Sequence, residues 1–445
     1  MRPFHHFIRV LLLCFTLNAA QSVVAEVITH ADENWETEFQ DAGSNQLIEP
    51  IRKMVSLGQI DQARYAIARV FENTANASHS EIVLAQLAFN EGKRLRAKKI
   101  LESLSGKHPN RLDVQLAFSQ LAMAEQRWFD AYGIASRGAA AVTPTTWDEA
   151  HAASVQHRLT MIMAKSCEHR QAWEEAGSIY LEAARRSEPT ADVLAGLGRC
   201  HFHNGEVAKS VLAFRELRKL VVNAEFPELS VAKLFQAAGE HEQAKKFFRI
   251  AVAKSDGRDR ELSLIAYARF CIWNNRPEVA AKAIESLSDV ATGEREVQFL
   301  LALIARMESR FSDARTILEQ LQRSHPNSMP IKNQLALVLI ESENKDDRAF
   351  ARLIAEANTR AHSAVAETWS TLGWIQYRLG ELQLAEETLK HSMKSGTGPR
   401  DVAHYLAKVY EGLGNNEAAM AFAKARNVAE GPTFYANTNF ETNEN

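Results

Sequence analysis

Apolar residues recur along this chain at spacings of three and four, in stretches of about a dozen residues broken by short polar or glycine-bearing segments. That spacing places one apolar stripe on each predicted helix. The breaks themselves are periodic. Gly58 and Gly92, Gly205 and Gly239, and Gly380 and Gly414 are each 34 residues apart. Five or six residues after each glycine stands a small residue: Ala63, Ala97, Ser210, Ala244, Ala385 or Ala419. About four further on comes a larger apolar one, such as Ile67, Leu101, Phe214, Phe248 or Leu389. Upstream of the glycines lie apolar–small pairs: Leu84-Ala85, Leu197-Gly198, Val231-Ala232, Leu372-Gly373 and Leu406-Ala407.

A helix hairpin explains every part of this period. The small residue at the eighth position lets the second helix approach the first closely. Glycine or a polar residue at the fifteenth ends the first helix and turns the chain. The small residue at the twentieth falls where the two helices cross. Prolines such as Pro109 and Pro326 stop second helices before the next unit begins.

The pattern resembles the tetratricopeptide repeat family, with its W-x2-L-G-x2-Y, A, F, A and P signature. Trp369, Leu372 and Gly373, followed by Gly380, Ala385 and Leu389, form the closest unit. That unit departs from the signature at its eleventh position, Gln376, with Tyr377 one place later. The register predicts units at 44–77, 78–111, 112–145, 157–190, 191–224, 225–258, 261–294, 295–328, 329–362, 366–399 and 400–433, with short insertions at 146–156, 259–260 and 363–365. The units starting at 44, where Pro50 replaces leucine, and at 329 are the most degenerate. The resemblance implies an all-α fold, a right-handed α-solenoid (superhelix) of about eleven hairpins over 44–430.

Composition narrows the function classes. A 46% hydrophobic fraction with 20 Gly and 11 Pro in 445 residues excludes a disordered or collagen-like chain. With 52 Lys+Arg against 55 Asp+Glu, the net charge of −3 argues against nonspecific nucleic-acid binding. The basic stretch Lys93-Arg94-Leu95-Arg96-Ala97-Lys98-Lys99 falls on a turn and an outward-facing second helix, and reads as a solvated face.

Arg2 and Arg9 precede an apolar run from Val10 to Leu17, and Val23-Val24-Ala25 closes it. This predicts a secretory signal peptide over 1–25, cleaved near Ala25–Glu26, and too short to span a membrane. Leu13 before Cys14 argues against lipidation. Residues 26–43 read as an acidic lead-in and 431–445 as a disordered tail. Three cysteines then remain, Cys167, Cys200 and Cys271, an odd set that suits burial better than a disulfide framework.

No catalytic motif stands out. There is no H-E-x-x-H, G-x-S-x-G or phosphate-binding glycine loop, and Ser230-Val231-Ala232-Lys233 fits S-x-x-K only in isolation. Cys167-Glu168-His169 and Cys200-His201-Phe202-His203 hold zinc-ligand types. His169 and His203 are 34 apart and are expected on the concave side, whereas Cys167 and His201 are expected to face inward. The two sets diverge, so no metal or other cofactor is implied.

In the resembled family the concave wall is lined by first helices at the second, fifth, ninth, twelfth and thirteenth positions. Carried over, the ninth position reads Arg52, Gln86, Gln120, Lys165, Arg199, Lys233, Arg269, Leu303, Leu337, Trp374 and Lys408. Lys165, Arg199, Lys233 and Arg269 make a basic ladder, flanked by His169, His203, Phe202 and Trp273, that suits acidic segments. Its rival is a row already neutralised by neighbours such as Glu168 and Asp192. Tyr377 takes the twelfth position of its unit, and toward the C-terminal end Phe299, Leu303, Met307, Leu337, Ile340 and Trp374 suit an amphipathic helix or extended peptide, or packing of Phe434, Tyr435 and Phe440 from the tail. The expectation is therefore a non-enzymatic, exported scaffold for protein or peptide partners, periplasmic or envelope-associated in a bacterium and serving assembly, secretion or polysaccharide export. An anionic-polymer binder using the ladder is one alternative. An enzyme with an unusual site near His169 and His203 is another.

Overall fold

First helices end by one local rule. At the fifteenth position the backbone turns left-handed: Gly58, Gly92, Gly205, Gly239, Gly380 and Gly414 have φ from +72° to +85°, and Gln126, Gln171, Asn275 and Ser309 lie at +56° to +60°. The next amide then donates back to the carbonyl five residues earlier at 2.7–2.9 Å in all ten turns, as from Gln59 to Met54 and from Glu381 to Gln376. This closure satisfies carbonyls that the helix end leaves open.

The protein is seen here as a computed structural model, which describes residues 45–71, 80–141, 143, 147–287, 294–394 and 401–425. The predicted signal segment, acidic lead-in and tail lie outside the described residues. Among the described residues there are 22 helices and no strand. They pair as α1 (Asn45–Ser56) with α2 (Ile60–Phe71), α3 (Ser80–Asn90) with α4 (Arg94–Lys107), and α5 (Leu112–Ala124) with α6 (Trp128–Ala139). Next come α7 (Glu149–His169) with α8 (Trp173–Arg186), α9 (Ala191–His203) with α10 (Val207–Leu220), and α11 (Pro227–Ala237) with α12 (His241–Lys254). Then follow α13 (Gly257–Trp273) with α14 (Pro277–Glu285), α15 (Arg295–Met307) with α16 (Phe311–Ser324), and α17 (Met329–Leu339) with α18 (Lys345–Ala361). The last are α19 (Ala366–Arg378) with α20 (Leu382–Ser392) and α21 (Val402–Gly412) with α22 (Asn416–Ala425). Over the described residues the chain is an all-α array of eleven hairpins. It divides into two compact units, one up to Val231 and one from Ala232 on, with the division inside α11.

Within each unit the small positions do what the period requires. At the eighth position Ala85, Ser119, Ala164, Ala232, Ala268, Ala302 and Ala336 are at most 1% exposed. A Cβ added to Gly198 would lie 2.6 Å from the Phe214 ring, and one on Gly373 would lie 2.6 Å from Leu389 Cγ. Here glycine is what lets the two helices of a hairpin touch. Twentieth-position residues such as Ala97, Ala131, Ala176 and Ala314 are fully buried. Larger side chains from second helices fill the space between; Tyr180 and Phe248 are at most 1% exposed, and burial of each contributes about 1.5–3 kcal/mol.

Three details differ from the expected register. Most of the 146–156 insertion is helix, because α7 begins at Glu149 with Asp148 as its cap, Oδ1 accepting from the His151 amide at 2.7 Å. Residues 259–260 are likewise absorbed into α13. The degenerate unit at 329 has no left-handed turn: α17 stops at Leu339, Asn344 caps α18, and the buried small residues move to Ala351 and Ala355.

Candidate functional site

In the N-terminal unit, the rise from α7 to α9 brings equivalent first-helix positions side by side. Lys165 Nζ lies 3.0 Å from Asp192 Oδ2. Arg199 donates from Nε and Nη2 to both Glu168 oxygens, at 2.6 and 2.9 Å, and the Tyr180 hydroxyl donates to Glu168 Oε1 at 2.5 Å. Burial opposes the Arg199 charge, but the Glu168 carboxylate more than offsets it and lifts the guanidinium above its ordinary value. Two rungs of the ladder, Lys165 and Arg199, thus already hold the neighbouring carboxylates that the sequence offered as the rival reading. Glu168 of α7, gripped by Arg199 of α9 and by the Tyr180 hydroxyl of α8, ties three helices together.

His169 and His203 repeat one arrangement a unit apart. His169 stacks on Trp128 with centroids 3.9 Å apart and planes at 9°; His203 stacks on Trp173 at 3.7 Å and 10°. Each tryptophan opens the second helix of the preceding hairpin. Burial lowers both imidazole pKa values, with Glu168 pulling the other way. Phe202 was expected on the binding face but is buried, 6% exposed, with its edge toward His203. A twelfth-position side chain here turns into the interhelical core, where an apolar ring belongs. Cys167 and Cys200 are buried in one apolar cluster. His201 is only half-buried and pairs through Nδ1 with Glu206 at 2.6 Å, so it does not face fully inward. Among the described residues no three metal-ligating side chains converge.

In the C-terminal unit Lys233 is exposed on α11 and has interactions of its own. Arg269 meets Glu296 at 2.5 Å, where burial pushes the carboxylate up and the guanidinium down. Trp273 and Tyr377 are half-buried. The expected apolar wall is closed on itself. Phe299 and Leu303 are 0% exposed, Leu337 6%, Ile340 1% and Trp374 8%. The Trp374 ring stacks on Tyr377 at 5.0 Å and on Tyr405 at 4.4 Å. Arg306, buried among these first helices, donates to Gln334 and also hydrogen-bonds the Tyr405 side chain. Arg378 clasps Glu341 at 2.5 Å. Large apolar rings gain more by covering one another than by lining a groove, so Trp374 is a core residue and not an open docking position.

Between the second helices α12 and α14, with α13 as floor, lies a cleft of about 370 Å³. Val252, Leu264, Val279 and the small Ala253 and Ala283 line it, with Arg249 from α12, Arg260 from α13 and Lys282 from α14 around them. Tyr267 completes the lining. No carboxylate lines the cleft, and among the described residues none pairs with Arg249, Arg260 or Lys282 within 4.0 Å. Sequence reasoning missed it because these residues come from three helices, and no spacing along one helix collects them.

Residues 296–328 match the family model described as tetratricopeptide repeat. No curated protein matches the chain. Among solved structures it is similar to a tetratricopeptide repeat protein from Parabacteroides merdae, with 14% identity over 57% of this chain and 98% of that one at a TM-score of 0.42. It is also similar to the Cut9–Hcn1 APC/C hetero-tetramer, with 13% identity over 86% and 93% of the two chains at 0.37. Yeast Tom70 gives 12% identity over 88% and 93% at 0.37. These likenesses carry nothing about function.

Proposed function

The chain is an array of tetratricopeptide-type repeats, and on that premise we propose that it is a non-enzymatic adaptor that holds protein partners. The observation that carries this reading is the match of 296–328 to the repeat, with the same hairpin recurring eleven times. Such arrays offer long, quasi-one-dimensional surfaces on which a partner is held by several units at once. The basic start and short apolar run of residues 1–25 support export, with the chain working from Glu26 onward in a periplasm or envelope if the source is bacterial. Among the described residues no helix is long and apolar enough to cross a membrane. Lys165, His203, Lys233, Arg269, Trp273 and Tyr377 keep some exposure on the first helices, where a partner meets them beside the contacts they already make. Recognition of an anionic polymer gains no support, because Lys165, Arg199 and Arg269 are already paired.

The test is affinity capture with the chain from Glu26 onward in an extract of its own envelope, followed by rebinding of the purified candidate. Protein partners that rebind are expected. Capture of nothing that rebinds would overturn the adaptor reading. N-terminal sequencing of the exported chain checks cleavage near Ala25.

A further inference from the structure

We infer that the cleft between α12, α13 and α14 receives a short acidic segment of a partner protein, with one or two bulky apolar side chains in the cleft and carboxylates on its rim. This rests on the adaptor reading and gives the partner a chemistry. Three observations meet there. The floor is apolar and provided by Leu264, Val252 and Val279, while Ala253 and Ala283 leave the space that larger residues would fill. The cations come from all three helices, so a bound segment meets positive charge on every side. Those cations also lack the partners that their counterparts on the first helices have: Arg199 has Glu168, Lys165 has Asp192 and Arg269 has Glu296. An ion pair formed with Arg249, Arg260 or Lys282 therefore displaces none among the described residues.

The size suits side chains. A volume of about 370 Å³ is at the small end of ligand sites, which run from about 300 to 1,000 Å³. A concave slot between two helices also admits a peptide edge and excludes a flat bilayer. Burial, helped by Cys271, pushes Tyr267 up to about 12 despite the pull of Arg249, so its phenol stays protonated at neutral pH and repels no carboxylate. The mode is the familiar one of an amphipathic segment in a helical groove, with cations setting which segment enters.

The experiment uses the full chain and a fluorescein-labelled octapeptide with Leu-Phe at its centre and three acidic residues on each side, read by fluorescence anisotropy. Saturable binding is expected, weakening as salt rises. The triple variant Arg249→Glu/Arg260→Glu/Lys282→Glu should lose at least tenfold in affinity, and Ala253→Trp, which fills the slot, should lose a similar factor. A peptide with Gly-Gly at its centre should bind at least tenfold more weakly than the Leu-Phe peptide. All altered side chains except the peptide's own are exposed, so unchanged circular dichroism and melting are expected, and Arg249→Lys should retain binding within about threefold. Equal binding by the triple variant overturns the proposal. So does co-sedimentation with phosphatidylglycerol vesicles in the absence of peptide binding, which would make a membrane the occupant. If captured envelope partners are held equally by the triple variant, the cleft fails as their site while the adaptor reading stands. If the unaltered chain captures none, the adaptor reading fails whatever the octapeptide does.

Discussion

Arg199 grips Glu168 with two nitrogens, at 2.6 and 2.9 Å, across the boundary between one hairpin and the next. Removal of one member of such a pair leaves a partly buried charge without its counterion. Arg199→Ala is therefore expected to destabilise the chain by about 1–3 kcal/mol, read as a lower urea midpoint at constant slope. Arg199→Lys should recover only part, because an ammonium cannot reproduce the two-pronged grip. An unchanged midpoint for Arg199→Ala would make the pair ornamental.

Gly196 occupies the next point of contact between the same hairpins. A Cβ there would lie 2.3 Å from the Tyr180 ring, which is fully buried. Alanine is the better helix former by about 1 kcal/mol, yet Gly196→Ala should cost about 1–3 kcal/mol because the ring has nowhere to move. Thermal unfolding gives the sign directly: a higher melting temperature would show that the helices are not in contact there.

Gln171 carries the opposite expectation. Its φ of +60° is in the left-handed region, where a non-glycine residue costs about 1–2 kcal/mol. Gln171→Gly should stabilise by about 0.5–1 kcal/mol after the added freedom of the unfolded chain is subtracted. Gly205→Ala, at the equivalent turn with φ of +79°, should destabilise by a similar amount. The pair of variants can be compared in one set of urea titrations.

These turns show how far the sequence could be read. The fifteenth position was legible because its constraint is local: glycine there announces a left-handed residue, and the 34-residue period locates the others even when they are Gln126, Gln171, Asn275 or Ser309. The eighth- and twentieth-position contacts were legible for the same reason. The binding face was not. Whether Arg199 is free depends on Glu168, 31 residues away, and whether Trp374 is open depends on Tyr405 in the next unit. Family positions specify the side of a helix on which a residue stands, but not what has already occupied that side. The unit at 329 failed locally, since its extra turn residues and the asparagine cap replace glycine altogether.

The two stacked histidines should make stability depend on pH. Burial, with Arg199 adding to it and Glu168 opposing, holds both folded-state pKa values below the ordinary 6.5. The unfolded chain then takes up protons first as pH falls, so this stability is present above about 6.5 and is lost below it. Glu206 and Asp347, held low by their hydrogen bonds to Lys209 and Ser342, titrate further down. The melting temperature should therefore drop between pH 7.5 and pH 5. In His169→Phe/His203→Phe, which keeps rings against Trp128 and Trp173, the drop should be smaller. Identical profiles for the two proteins would exclude the stacked imidazoles as the cause.

Calorimetric titration of a captured partner into the purified chain from Glu26 onward tests the adaptor reading most directly. Saturable binding with a Kd in the micromolar range or tighter, and a negative heat-capacity change from apolar burial, is the expected result. No saturable heat with any partner that the extract provides would contradict it.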